Sequence, residues 1–375
     1  MKYLTSILAA ILLISINAFP QTGHGELVGD RIVAFYPDNF IPSQTLPSFA
    51  LVEEPDSLGG VPADWEIFPE FTTQGSSQAA EIPYPENTDL YGTGEVVGPL
   101  RRNGTEVTMW NTDSYGYGNS THLYQSHPWI MGLRDDGSCF GILVDHTWRQ
   151  TFYLNNPIEI ISEGPPFRIL VIERDSPQEM MHALGMLTGT ISLPPLWALG
   201  YHQCRYSYYP DSRVIEIADT FRDLDIPCDV IWMDIDYMDG YRVFTFSPTG
   251  FPDPDGLNAY LHQHDFKSIW MIDPGVKKEA GYFVYDSGTE NDIWTLDAFG
   301  DPFVGDVWPG ACVFPDYTMP EAQSWWADLY GDFMATGIDG IWNDMNEPAV
   351  FNTPNRSMPE DNLHRGGGEL PQDVH

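Results

Sequence analysis

The apolar positions of this chain change their rhythm once, at Pro194-Pro195. Ahead of that pair, short apolar runs alternate with turn residues, the period-two pattern of strands. HPWIMGLRDDGSCFGILVDHTW (127–148) reads as two strands joined by a turn at Asp135-Asp136-Gly137, and FRILVIER (167–174) as another strand. Eight prolines between Pro37 and Pro85 favour short strands and long loops over helices. A helix is predicted over 177–188. Residues 21–190 are therefore expected to form an N-terminal β-sandwich domain.

Beyond the prolines the pattern becomes strand, helix, strand. Strands are predicted at about 197–202, 228–234, 268–273 and 338–344. The helix after the first opens at Asp211, read as its N-cap, and carries Val214, Ile217, Ala218, Phe221 and Leu224 on one face; Pro227 stops it. A second helix opens at Pro320. Parallel strands whose C-terminal ends carry carboxylates predict a (β/α)8 TIM barrel over 194–375. Such a barrel takes about 250 residues, whereas 182 follow residue 193. Only the first half of the barrel is expected here, from a sequence truncated at its C-terminus.

Composition adds a compartment and removes some partners. The opening MKYLTSILAAILLISINAF (1–19) has one early lysine and a short apolar core, the pattern of a signal peptide over 1–20. That predicts export, periplasmic or secreted, with no integral span after removal. The net charge is −37, spread along the chain: −15 over 1–193 and −22 over 194–375. A diffuse negative surface disfavours nucleic acid and anionic membranes. Four cysteines (Cys139, Cys204, Cys228, Cys312) are widely spaced without a CxxC, so a zinc site is not expected. They read as mostly buried thiols, with one disulfide open in an exported chain.

The chemistry lies at the strand ends. Asp234 and Asp236, then Asp273, then Asp344 close successive barrel strands, so their carboxylates share one rim. Metal binding, sugar-hydroxyl binding and glycoside cleavage all use such clusters. No Gly-rich phosphate loop or basic cluster accompanies them, which favours neutral carbohydrate over a metal-held phosphate. Trp232, Trp270 and Trp342 fit barrel filling, whereas Trp308, in the loop VWPGACVFPD (307–316), is the better stacking candidate. His202 reads as a hydrogen-bonded structural residue.

WMDIDYMDGYRVFTFSPTGFPDP (232–254), VWPGACVFPD (307–316) and GIWNDMNEPAVF (340–351) together resemble the retaining α-glucosidases of glycoside hydrolase family 31. YGTGEVVGPL (91–100) and LYQSHPWIMG (123–132) are similar to that family's galactose mutarotase-like N-terminal β-sandwich. The resemblance implies roles. Asp344 would be the nucleophile, Glu347 would support it, and Met345 would line the pocket beside it. Asp234 would hold hydroxyls of the terminal sugar, with Ile235 as pocket wall. Trp270, Ile272, Asp273 and Trp308 would complete the floor, and Asp113 would reach in on a loop from the sandwich. No metal or organic cofactor is implied.

Retention needs a second carboxyl group about 5–5.5 Å from the nucleophile. In the resembled family it comes from a later strand. The expectation is therefore an exo-acting α-glucosidase of α-linked gluco-oligosaccharides whose 375-residue piece is inactive alone. An α-transglucosylase or α-xylosidase of the same family, and a non-catalytic carbohydrate-binding relative, remain open at this point.

Overall fold

In the computed structural model the described residues are 23–42, 51–113, 123–354 and 356–366, with the backbone of 370–371. The predicted signal peptide lies outside them. Among the described residues no helix is long and apolar enough to cross a membrane.

Two antiparallel sheets make up the N-terminal part. One has seven strands, in the spatial order Gly59–Gly60, Gly23–Gly29, Ile32–Pro37, Arg168–Arg174, Cys139–Asp145, Ser126–Leu133, Asp89–Gly94. The other has five, in the order Glu70–Gln74, Ser77–Ile82, Ile158–Ser162, Gln150–Tyr153, Glu106–Met109. Phe35, Phe140, Ile142 and Ile169 of the first meet Phe71, Ile82, Phe152 and Ile160 of the second in one apolar core. The opposite face of the seven-stranded sheet is covered by α1 (Pro177–Thr188), whose Met180 and Ala183 pack on Leu143, Leu170 and Ile172. Burial on both faces explains why Cys139–Asp145 and Arg168–Arg174 read as nearly unbroken apolar runs. Gly141 lets α1 approach, because a Cβ there would lie 2.0 Å from Trp129 and 2.7 Å from the Met180 sulfur.

The C-terminal part holds a four-stranded parallel sheet in sequence order: His202–Gln203, Val230–Met233, Lys267–Ile272, Gly340–Asn343. The predicted first strand at 197–202 is corrected. Residues Leu196–Leu199 form a 3-10 turn, and only His202 and Gln203 pair. Helix α2 (Asp211–Asp223) starts one residue earlier than its expected cap: Pro210 is the N-cap, and Asp211 occupies the first turn. Its inward face is narrower than the periodicity implies, since Val214 and Ala218 are fully buried but Leu224 is 62% exposed. Helices α3 (Pro254–Gln263) and α4 (Phe283–Glu290) arise where no helix was predicted, and α5 (Pro320–Ala335) where one was. Between the third strand and α5, a three-stranded antiparallel sheet (Val276–Lys277, Gly310–Val313, Gly305–Val307) forms an excursion at the acidic end of the parallel sheet.

All four cysteines are free thiols; Cys139, Cys228 and Cys312 are buried and Cys204 is exposed. The disulfide left open by the sequence does not form.

Candidate active site

Side chains alternate across a strand, so register decides which residues share a face. Met271 lies beside Trp342, and Trp232 beside Ile269. Continued one step past the pairing, Asp273 comes level with Asp344, and Asp234 level with Met271. The amide of Asp344 donates to the Ile272 carbonyl at 3.1 Å, which holds that alignment. Asp234, Asp273 and Asp344 thus project from three adjacent strands onto one face. One layer below them run Trp197, His202, Trp232 and Trp342, with the Trp232 indole N–H donating to His202 Nδ1 at 3.2 Å.

The environment of these acids opposes ionisation. Asp273 is 3% exposed, and its Oδ1 has no hydrogen-bond partner among the described residues. Burial first, then the carboxylates of Asp344, Asp234 and Glu347, hold its pKa well above the ordinary range. Asp234 is raised by burial and then by Asp344 and Asp236, despite accepting from the Ile235 amide at 2.7 Å. Asp344 is raised by burial and by Asp113. Glu347 is raised by burial, then by Asp344 and Asp113. Glu347 also lines a cavity of about 190 Å³ with Pro274, Phe314, Asn346 and His364.

The chain leaves Asp344 by a strained step. Met345 has φ +62°, a left-handed conformation costly for a non-glycine residue. Its side chain packs against the cluster of Phe303, Val307, Cys312, Phe314, Val350 and Met358, which holds the turn in place. Asp113 arrives from the N-terminal part, accepting from the Tyr124 hydroxyl at 3.4 Å and lying 3.7 Å from Arg356 Nη1. Its negative charge contributes to the raised pKa of Asp344 and of Glu347.

Trp308 is 48% exposed and meets Phe351 edge-on at 5.1 Å, forming an open aromatic corner. Three expected pocket residues lie elsewhere. Trp270 and Ile272 fall on the opposite face of the sheet from Asp273, because they sit at odd spacings from it. The Trp270 indole is fully buried, with its N–H directed at Asn258 of α3 and at Ser268. Ile235 is 2% exposed within the same core. None of the three offers surface to a ligand.

Reading the sequence also passed over three neighbours of the site. Phe351 follows Asp344 by seven residues and completes the aromatic corner. Trp342, read as barrel filling, shares the face of the acids. The exposed Cys204 ends the first strand, and its thiol pKa is raised by burial and then by Asp234 and Asp344. Phe351 lay inside a quoted motif; Cys204 carried no spacing signal at all. Among the described residues no group of three or more His, Cys, Asp or Glu side chains is arranged to hold a metal ion.

Comparison with known proteins follows the same division of the chain. Residues 191–375 match the Glycosyl hydrolases family 31 TIM-barrel domain, and residues 65–152 the Glycosyl hydrolase 31 N-terminal galactose mutarotase-like domain. Alpha-glucosidase 2 of Bacillus thermoamyloliquefaciens is 41% identical over 304 residues, 80% of this chain and 38% of that protein. The chain therefore spans well under half the length of that relative. The crystal structure of a family 31 alpha-glucosidase from Bacteroides thetaiotaomicron superposes with a TM-score of 0.71 at 57% identity, covering 77% of this chain and 50% of that one. A Flavobacterium johnsoniae family 31 dextranase shares the fold with a TM-score of 0.80 at 24% identity, over 92% of this chain and 47% of the other. Two domains of one family occur here in order, and the second contains the acidic rim; the chain belongs to glycosyl hydrolase family 31.

Proposed function

We propose that the protein is an exo-acting α-glucosidase that cleaves α-linked gluco-oligosaccharides with retention, through a covalent glycosyl-enzyme on Asp344. The observation that carries this reading is Asp344 itself. It stands at a strand end beside Asp273, one strand over, in a motif that resembles the family's, and the exposed Trp308–Phe351 corner lies on the loops that follow. In this reading Asp344 attacks the anomeric carbon. Asp234 and Asp113 accept hydrogen bonds from sugar hydroxyls, and Trp308 stacks on the ring. Glu347, within the same loop, keeps the surroundings of Asp344 acidic and dry. The four parallel strands are read as the first four of an eight-stranded barrel. No residue among those described is assigned as the general acid that protonates the leaving group. The signal-like N-terminus supports the reading that the enzyme acts outside the cytoplasm.

The test is to treat the full-length protein with a 2-deoxy-2-fluoro α-glucosyl fluoride. A glycosyl adduct mapped by mass spectrometry to Asp344 is the expected result. Labelling at another residue, or none in an enzyme that turns over α-glucosides, removes the assignment.

A further inference from the structure

Asp273 is the most enclosed of the rim carboxylates and the one least provided for. It occupies the central strand of the three, with Asp234 on one side and Asp344 on the other. Adjacent strands lie about 4.8 Å apart, so carboxylates level with each other on one face are near neighbours. Asp273 is level with Asp344 and two residues ahead of Asp234 in register, which makes Asp344 its natural partner.

Among the described residues, the groups that act on Asp273 offer it no free strong donor. Asp344, Asp234 and Glu347 act on it electrostatically, and an ionised carboxylate has no proton to donate. The Tyr237 hydroxyl, on the turn after the second strand, already donates to the Met271 carbonyl. The Cys312 thiol, from the excursion sheet, is a weak donor pushed up to about 12 by burial and then by Asp273. No ion pair among the described residues reaches Asp234, Asp273 or Asp344. A carboxylate only 3% exposed, with an unpartnered oxygen, beside a second carboxylate is the arrangement in which two acids share one proton.

We propose that Asp273 is held as a neutral carboxylic acid and donates a hydrogen bond to the Asp344 carboxylate, making it the positioning residue of the nucleophile. This rests on the reading of Asp344 given above. The deeper acid keeps the proton because it is the one cut off from water; Asp344, half-buried at the mouth, keeps the charge. The hydrogen bond fixes which oxygen of Asp344 faces the sugar. It also removes one negative charge from a rim that would otherwise repel itself.

The experiment uses the full-length enzyme, isotope-labelled aspartate for infrared spectroscopy, and p-nitrophenyl α-glucoside. Wild type should show the carbonyl band of a protonated aspartate at neutral pH. The band should survive in Asp234→Asn and vanish in Asp273→Asn. An amide can replace a protonated carboxyl as donor, so kcat of Asp273→Asn should stay within about tenfold of wild type, the worth of one hydrogen bond. Asp273→Ala, with no donor, should lose more in kcat than in KM. A missing band in wild type, a band that persists in Asp273→Asn, or an Asp273→Asn enzyme as inactive as Asp344→Asn overturns the proposal. If Asp273→Asn does not fold, the wild-type and Asp234→Asn spectra still decide. If wild type leaves the glucoside uncleaved, the functional reading fails, while the band continues to report on the proton.

Discussion

Replacing Trp270 with phenylalanine distinguishes a pocket floor from a core. The indole ring meets Tyr237 at 4.8 Å, Phe246 at 5.5 Å and Phe251 at 6.0 Å, and its N–H reaches Asn258 Oδ1 and Ser268 Oγ, both at 3.2 Å. Phenylalanine keeps part of the aromatic contact and loses the donor. Asn258 Oδ1 is not orphaned, since the Ser268 hydroxyl still donates to it at 2.7 Å. The lost hydrogen bond is worth about 1 kcal/mol. The missing ring atoms leave a small cavity and weaken edge-to-face pairs, adding roughly 1–2 kcal/mol. A total of about 2–3 kcal/mol corresponds to a fall in Tm of roughly 5–10 °C for a domain of this size. Thermal unfolding of the full-length protein measures the loss, and steady-state kinetics on p-nitrophenyl α-glucoside should show KM unchanged. A rise in KM of about tenfold or more, with Tm unmoved, would place the indole against substrate and refute the face assignment.

Three further outcomes follow from the same geometry. Trp308→Ala should raise KM by about tenfold or more without lowering Tm, because its ring is half exposed and braces only Phe351; an unchanged KM would remove it from the site. Arg168 is 5% exposed and pairs with Asp145, itself 2% exposed, and with Glu54. Arg168→Met should cost about 3–5 kcal/mol in chemical denaturation by stranding Asp145, and a loss under about 1 kcal/mol would contradict that. The third concerns pH. Asp234, Asp273, Asp344 and Glu347 have folded pKa values raised above unfolded ones, so the native state binds extra protons and stability falls as pH rises through their folded values. Asp316 behaves oppositely: burial would raise it, but His364, Thr318 and the Arg365 amide together lower it, so its contribution disappears only in stronger acid. Tm should decline as pH rises above the ordinary carboxylate range, less so in Asp273→Asn; a Tm that climbs steadily over that rise would sink the account.

How much of this was legible beforehand depended on whether a signal was local. The run Val230–Met233 followed by Asp234, and Gly340–Asn343 followed by Asp344, announce parallel strands delivering acids, because short apolar and aromatic runs ending on an acid suit strand ends. Helix α5 was equally readable from Pro320 at its first turn. Helix α3 was not, although Asp253 caps it through the Gly256 amide and Pro254 opens it; the short turn-rich stretch before it hid the start. Residues 196–199 looked like a strand from composition alone, but an apolar tetrapeptide fits a 3-10 turn as well.

The sequence by itself determined the change of pattern at Pro194-Pro195, the strands that end on acids, and the family those motifs imply, since each is written in contiguous residues. Only the tertiary structure decided which way side chains face. Trp270 and Asp273 are three residues apart on one strand, so one goes to the helix layer and the other to the rim. Reading along the chain could not choose between them, because the choice depends on register with neighbouring strands. The same holds for Phe351 against Trp308, and for the electrostatic influence of Asp113 on Asp344. Those interactions join segments far apart in the chain, which only folding brings near one another.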